Sequence, residues 1–139
     1  MLNWQRVESA LYRLYFSLFE NGNLAQSGAA YYSLDSFGGK LRLVNATAVA
    51  VLMDAQLDTW EVLHQEIKSA SSERNVLAHL PAVLDVNADK SLSLTLAPHC
   101  YIPLSMIKKR TRKYDAPECE RLASCFDELA KKVDSFTAS

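Results

Sequence analysis

The sequence predicts a mainly all-α fold, a four-helix up-and-down bundle with a small β-hairpin between the third and fourth helices. Three observations carry this. Four segments repeat apolar residues at spacings of 3 and 4, the period of one helix face. One segment, Leu92, Leu94 and Leu96 set between Ser91, Ser93 and Thr95, alternates with the period of a strand. The four stripes are of similar length and no internal repeat or low-complexity tract interrupts them, which suits one bundled core. With 139 residues, the whole chain 1–139 is expected to form a single domain.

The first helix starts near Asn3, and its stripe is Trp4, Val7, Leu11, Leu14 and Leu18. The run Glu20–Asn23, ENGN, stops it, because Gly and Asn tolerate the left-handed conformation that ends helices. A linker of small residues is expected next. The second stripe is Leu34, Phe37, Leu41, Val44, Ala48 and Val51, with Gly38 and Gly39 inside it. Each glycine costs about 1 kcal/mol relative to alanine in a helix. They either permit close approach of a neighbour or a bend, or they simply weaken the helix.

The third helix begins near Asp54 or Asp58 and buries Trp60, Leu63, Ile67 and Ala70. Pro81 ends it, since the residue before proline resists helical geometry. Asn87 to Lys90 is turn chemistry, which places the hairpin between Val83 and Leu96. A lone hairpin is marginal in water, so it is expected to lean on the helices. The last helix has a defined start: Asp115 as N-cap, Pro117 in the first turn, and Glu118 three residues after the cap. Its stripe is Cys119, Leu122, Phe126, Leu129, Val133 and Phe136, which makes Cys119 a core residue rather than a reactive thiol.

Composition narrows the function classes. Apolar residues make up 49% and charged residues 22%, ordinary for a globular chain. The net charge of -1 gives no overall bias towards nucleic acid or membranes, so any polyanion site must be a local patch. Cys100, Cys119 and Cys125 form no CxxC pair and are odd in number, which points to a reducing, cytoplasmic compartment. No signal peptide is expected, and the most apolar stretch, NATAVAVLM, is too short to span a bilayer, so no membrane partner is expected. His99 and Cys100 are an isolated pair and no acidic cluster has metal-ligand spacing, so no metal or other cofactor is expected.

The anomaly lies at the end of the third helix, in SSERNVLAH, residues 71–79. The stripe position after Ala70 is Arg74, and the next is Leu77. An arginine in an apolar stripe is costly unless its charge meets a partner. Three partners are open: a carboxylate such as Glu66, Glu73 or Asp85, a subunit interface, or a phosphate that fits the guanidinium fork. Asn75 and His79, at i and i+4, share a helix face. Arg74 and His79, at i and i+5, lie about 140° apart on a regular helix. They converge only if the helix ends by His79 or a second copy brings its own pair alongside. His79 alone reads as a favourable cation at a helix C-terminus.

Arg74, the polar Asn75, three further residues and His79, closing the third helix of a four-helix unit, resemble the HEPN superfamily, whose signature is an arginine, four to six residues and a histidine. YYSLDSFGGKLRLVNATA resembles the second helix of bacterial HEPN-like proteins, DTWEVLHQEIKSASSERNVLAH their third, and APECERLASCFDELAKKVDSF their final helix. The resemblance covers about Tyr31 to Phe136. Many members follow the histidine with glycine, where this chain has Leu80 and Pro81, so the path after His79 departs from the family pattern.

The resemblance implies a metal-independent endoribonuclease, toxin or defence related, working as a homodimer with two such motifs facing one cleft. Arg74, Asn75 and His79 would then be the catalytic residues. Cleavage of RNA by its own 2′-hydroxyl needs a base and an acid, and histidine, titrating near neutrality, can be either. An arginine stabilises the charge gathering on the phosphate. The alternative is a non-catalytic HEPN-like module that binds nucleic acid or protein. RNA and an antitoxin protein are the macromolecular partners left open besides the second copy. The basic run Lys108, Lys109, Arg110, Arg112 and Lys113 is either a solvated loop or a contact to the RNA backbone.

Overall fold

The computed structural model describes residues 2–19, 22–80, 82–96 and 114–139. Five helices and one hairpin are described: α1 (Leu2–Ser17), α2 (Leu24–Tyr32), α3 (Phe37–Val51), α4 (Asp54–His79), β1 (Ala82–Val86), β2 (Leu92–Leu96) and α5 (Ala116–Thr137). The fold is therefore mainly α-helical, and the strands sit between α4 and α5 where the period-2 segment put them. No described helix is long and apolar enough to cross a membrane.

The stripes become one core. Trp4, Val7, Leu11 and Leu14 of α1, Leu41, Val44 and Ala48 of α3, Trp60, Leu63 and Ile67 of α4, and Leu122, Phe126, Leu129 and Val133 of α5 are all buried together. The main packing partners run α1 with α5, α5 with α4, α4 with α3, and α3 with α1. Side chains at the rim reinforce the α1–α5 packing. Asn3 Nδ2 donates to the Ala123 carbonyl at 2.9 Å, Arg6 pairs with Asp127, and both Nε and Nη2 of Arg13 reach Asp134 at 2.8–2.9 Å. Such exposed pairs are screened by water and contribute little, so burial of the stripes carries most of the stability.

The segment expected to be a linker is instead helix α2, which brings the described helices to five. Asn23 explains the start: its Oδ1 accepts from the amides of Ala25 and Gln26. Tyr31 explains the docking, since it is 1% exposed, packs between Tyr12 and Tyr15, and its hydroxyl donates to the Glu8 carbonyl at 3.2 Å. A stripe count misses a nine-residue helix held by two tyrosines and a cap. Just before it, a Cβ on Gly22 would fall 2.6 Å from Phe19 Cβ, so the turn out of α1 requires glycine.

The two glycines of the second stripe also take a different place. Gly38 and Gly39 lie in the first turn of α3, not in its interior, and Ser36 Oγ caps them by accepting from the Gly39 amide at 3.1 Å. Nothing lies within 4 Å of a Cβ built on Gly38, so no neighbouring helix approaches there, while one on Gly39 would stand 3.2 Å from Ser36 Oγ. Gly38→Ala is therefore expected to raise stability by about 0.4–1 kcal/mol, chiefly by restricting the unfolded chain. Urea denaturation checks it; an unchanged or lowered midpoint contradicts it.

α5 starts as its sequence requires, with Asp115 Oδ1 accepting from the Glu118 amide at 2.9 Å. Cys119 is half-buried against the core. β1 and β2 pair antiparallel with Leu84 opposite Leu94 and Val86 opposite Leu92. Among the described residues, the principal contacts of the hairpin are between its own strands.

Candidate functional site

α4 is the longest described helix, 26 residues. Trp60, Leu63 and Ile67 fasten its first half to the core, and Ala70 continues the stripe half-buried. One turn on, the stripe delivers Arg74. Its guanidinium carbon stands 6.0 Å from the centre of the Trp4 ring, at the outer range of a cation–π contact. Nη1 donates to Asn75 Oδ1 at 3.1 Å. Nε is buried and has no hydrogen-bond partner among the described residues.

The carboxylate partners open to Arg74 do not claim it. Glu66 pairs with Lys132 at 2.6 Å, and no ion pair joins Arg74 to a carboxylate among the described residues. The side chain of Asp85 lies outside the described part. The cation–π contact contributes about 0.5–2 kcal/mol, while a buried unmet donor costs about 1–3 kcal/mol. The two contributions are of similar size, so the contact with Trp4 and the unmet Nε offset each other.

His79 is the last residue of α4 and is exposed. Asn75 is exposed as well. α4 stays helical up to His79, so Arg74 and His79 of one chain remain about 140° apart around the axis. Arg74 and Asn75 are thus brought into contact, while His79 is not drawn to Arg74 within a single copy.

Trp4 belongs to the site and sequence reasoning did not assign it there. As the first member of the α1 stripe it reads only as core, and it is buried, edge-on to Phe37 and Phe126 at 4.7 and 5.2 Å. Nothing in the spacing of α1 signals that this ring also underlies Arg74; only the packing of α1 near the end of α4 does so.

His64 is the other described histidine. It lies against Trp60 with ring centres 5.7 Å apart, and burial, then the neighbouring Lys68, push its pKa down. It is a neutral packing group at neutral pH. A groove of about 800 Å³ runs between α4 and α5, but it is lined by residues such as Val62, Phe136, Glu66 and Lys132, not by Arg74, Asn75 or His79. Its Lys131 and Lys132 already pair with Asp127, Glu128 and Glu66.

Lys108, Lys109, Arg110, Arg112 and Lys113 lie outside the described residues, as do His99 and Cys100. Among the described residues no group of three His, Cys, Asp or Glu side chains is arranged to hold a metal ion. No family model matches the chain, and neither the curated proteins nor the solved structures searched contain a significant match.

Proposed function

We propose that this chain is a HEPN-type endoribonuclease that cleaves RNA without a metal ion and acts as a homodimer. In this reading the four longer helices, α1, α3, α4 and α5, make the up-and-down bundle, and the end of α4 carries the site. The observation that supports it is Arg74: a guanidinium held on Trp4 and Asn75, with Nε unpartnered and no acidic residue paired to it among the described residues. A purely structural arginine would have its donors met.

The chemistry assigns one role to each group. Arg74 binds the scissile phosphate and stabilises the charge that collects on its oxygens. Asn75, through its contact with Nη1, fixes the direction of the guanidinium. One His79 takes the proton of the 2′-hydroxyl as O2′ attacks phosphorus. Another His79 gives a proton to the departing 5′-oxygen. A single chain has one such histidine on the wrong side of Arg74, and two copies supply both.

The same geometry favours a second reading, a non-catalytic module that binds RNA or a protein, because one chain does not unite Arg74 with His79. A cleavage assay on single-stranded RNA, wild type against His79→Ala, separates the two. Cleavage that depends on His79 supports the enzyme; binding without cleavage supports the module.

The basic run 108–113 has its own expected result in this reading. If Lys108, Lys109, Arg110, Arg112 and Lys113 touch the RNA backbone, reversing three of these charges weakens binding and flattens its salt dependence. The logarithmic slope on single strands should fall by about 0.7 for each phosphate no longer neutralised. Filter binding across a salt series checks it. Unchanged affinity and slope leave a solvated loop.

A further inference from the structure

The hairpin is built inside out. Directly opposed residues of an antiparallel pair share a face, so the pairs Leu84 with Leu94 and Val86 with Leu92 gather four aliphatic side chains on one side. All four are exposed, at 60–69%. On the opposite face Ser93 and Thr95 are half-buried. A one-faced strand ordinarily hides its apolar residues and wets its polar ones.

The turn pins this register. The Asn87 amide donates to the Ser91 carbonyl and the Lys90 amide to the Asn87 carbonyl, both at 2.9 Å, while Asp89 Oδ1 accepts from the amide and hydroxyl of Ser91. A slip of one residue would turn the leucines inward, and these bonds oppose it. The outward aliphatic face is a fixed feature of the loop. It belongs to a two-stranded sheet whose principal contacts among the described residues are between its own strands, and such a sheet is marginal alone.

We infer that Leu84, Val86, Leu92 and Leu94 form the contact through which two copies of this chain pair, face against face across a two-fold axis. Three considerations select a second copy. The face is aliphatic and uncharged, so it is its own complement, as a two-fold contact requires. β1 starts at Ala82, three residues after His79, so a copy docked there lies beside the end of α4, where one chain leaves the Arg74–His79 centre incomplete. The four side chains offer on the order of 400 Å², about half of the ~800 Å² that one partner brings to a standard interface.

The second consideration rests on the proposed function, and the test does not. Sedimentation equilibrium of the full chain over about 1–100 µM is compared with two double variants, Leu84→Lys/Leu94→Lys and Leu84→Glu/Leu94→Glu. The wild type is expected to be a dimer. Each variant should raise the dimer dissociation constant by about 100-fold or more, with unchanged helical circular dichroism. Mixing the lysine and glutamate variants should restore a dimer, because opposite charges then meet across the axis. A monomeric wild type, a variant as dimeric as the wild type, or a mixture that stays monomeric would each overturn the inference. A wild-type monomer is also the result expected if another protein or the chain's own following segment covers this face. A dimer that never cuts RNA removes the proposed function and leaves the inference standing; a dimer that cuts RNA and is left intact by both double variants does the reverse.

Discussion

His79→Ala is expected to lower RNA cleavage by about 10²–10⁴-fold, the usual worth of a general acid or base, while the helices stay formed. The side chain is exposed and ends α4, so its removal leaves the packing of the helix untouched. Arg74→Ala is expected to lower cleavage by about 10²–10³-fold, as for removal of one donor to the developing charge. Its effect on stability should be small, because removing the interaction with Trp4 is offset by removing the unmet Nε. The two readings part here. A structural Arg74 predicts a stability loss and no activity to lose. Arg74→Lys adds a finer check: the ammonium keeps the charge but not the fork, so it should recover only part of the rate. Initial rates on a defined RNA, measured beside thermal melting, resolve all three variants.

Trp4→Ala is expected to destabilise the fold by about 3–5 kcal/mol, the cost of deleting a large buried aromatic. The ring is 2% exposed and packs edge-on against Phe37 and Phe126, and its Nε1 donates to Glu8 at 3.2 Å. Against a total stability of about 5–15 kcal/mol, that loss is a large share. It should also lower cleavage by releasing Arg74 from its platform. Urea unfolding followed by circular dichroism measures the first effect; a loss under about 1 kcal/mol would place Trp4 outside the core and contradict the packing described.

Much of the fold was legible because burial writes a period into the chain. Trp4 to Leu14, Leu41 to Ala48, Trp60 to Ile67 and Leu122 to Val133 are buried where their stripes predict. The hairpin was legible from Leu92, Leu94 and Leu96, and the start of α5 from Asp115 and Glu118. α2 was not, because Asn23 and Tyr31 secure it without a repeating stripe. Gly38 and Gly39 were misplaced because Ser36 starts α3 later than the apolar spacing suggests. The direction of the hairpin was also illegible. Period 2 says that one face differs from the other, not which of them meets the core. At the site, Arg74 stood out as a charge in a stripe, and its contact with Asn75 follows from adjacency. The Trp4 platform joins distant segments, which no local pattern encodes.

The central claim is that RNA supplies its own nucleophile at a centre made of Arg74 and His79. The most direct measurement is the chemistry of the ends left when purified wild-type protein is incubated with end-labelled single-stranded RNA in excess EDTA. The account predicts continued cleavage, with 2′,3′-cyclic phosphates on the upstream products and 5′-hydroxyls on the downstream ones. RNA that is bound but left intact, or ends carrying 3′-hydroxyls and 5′-phosphates, would contradict it.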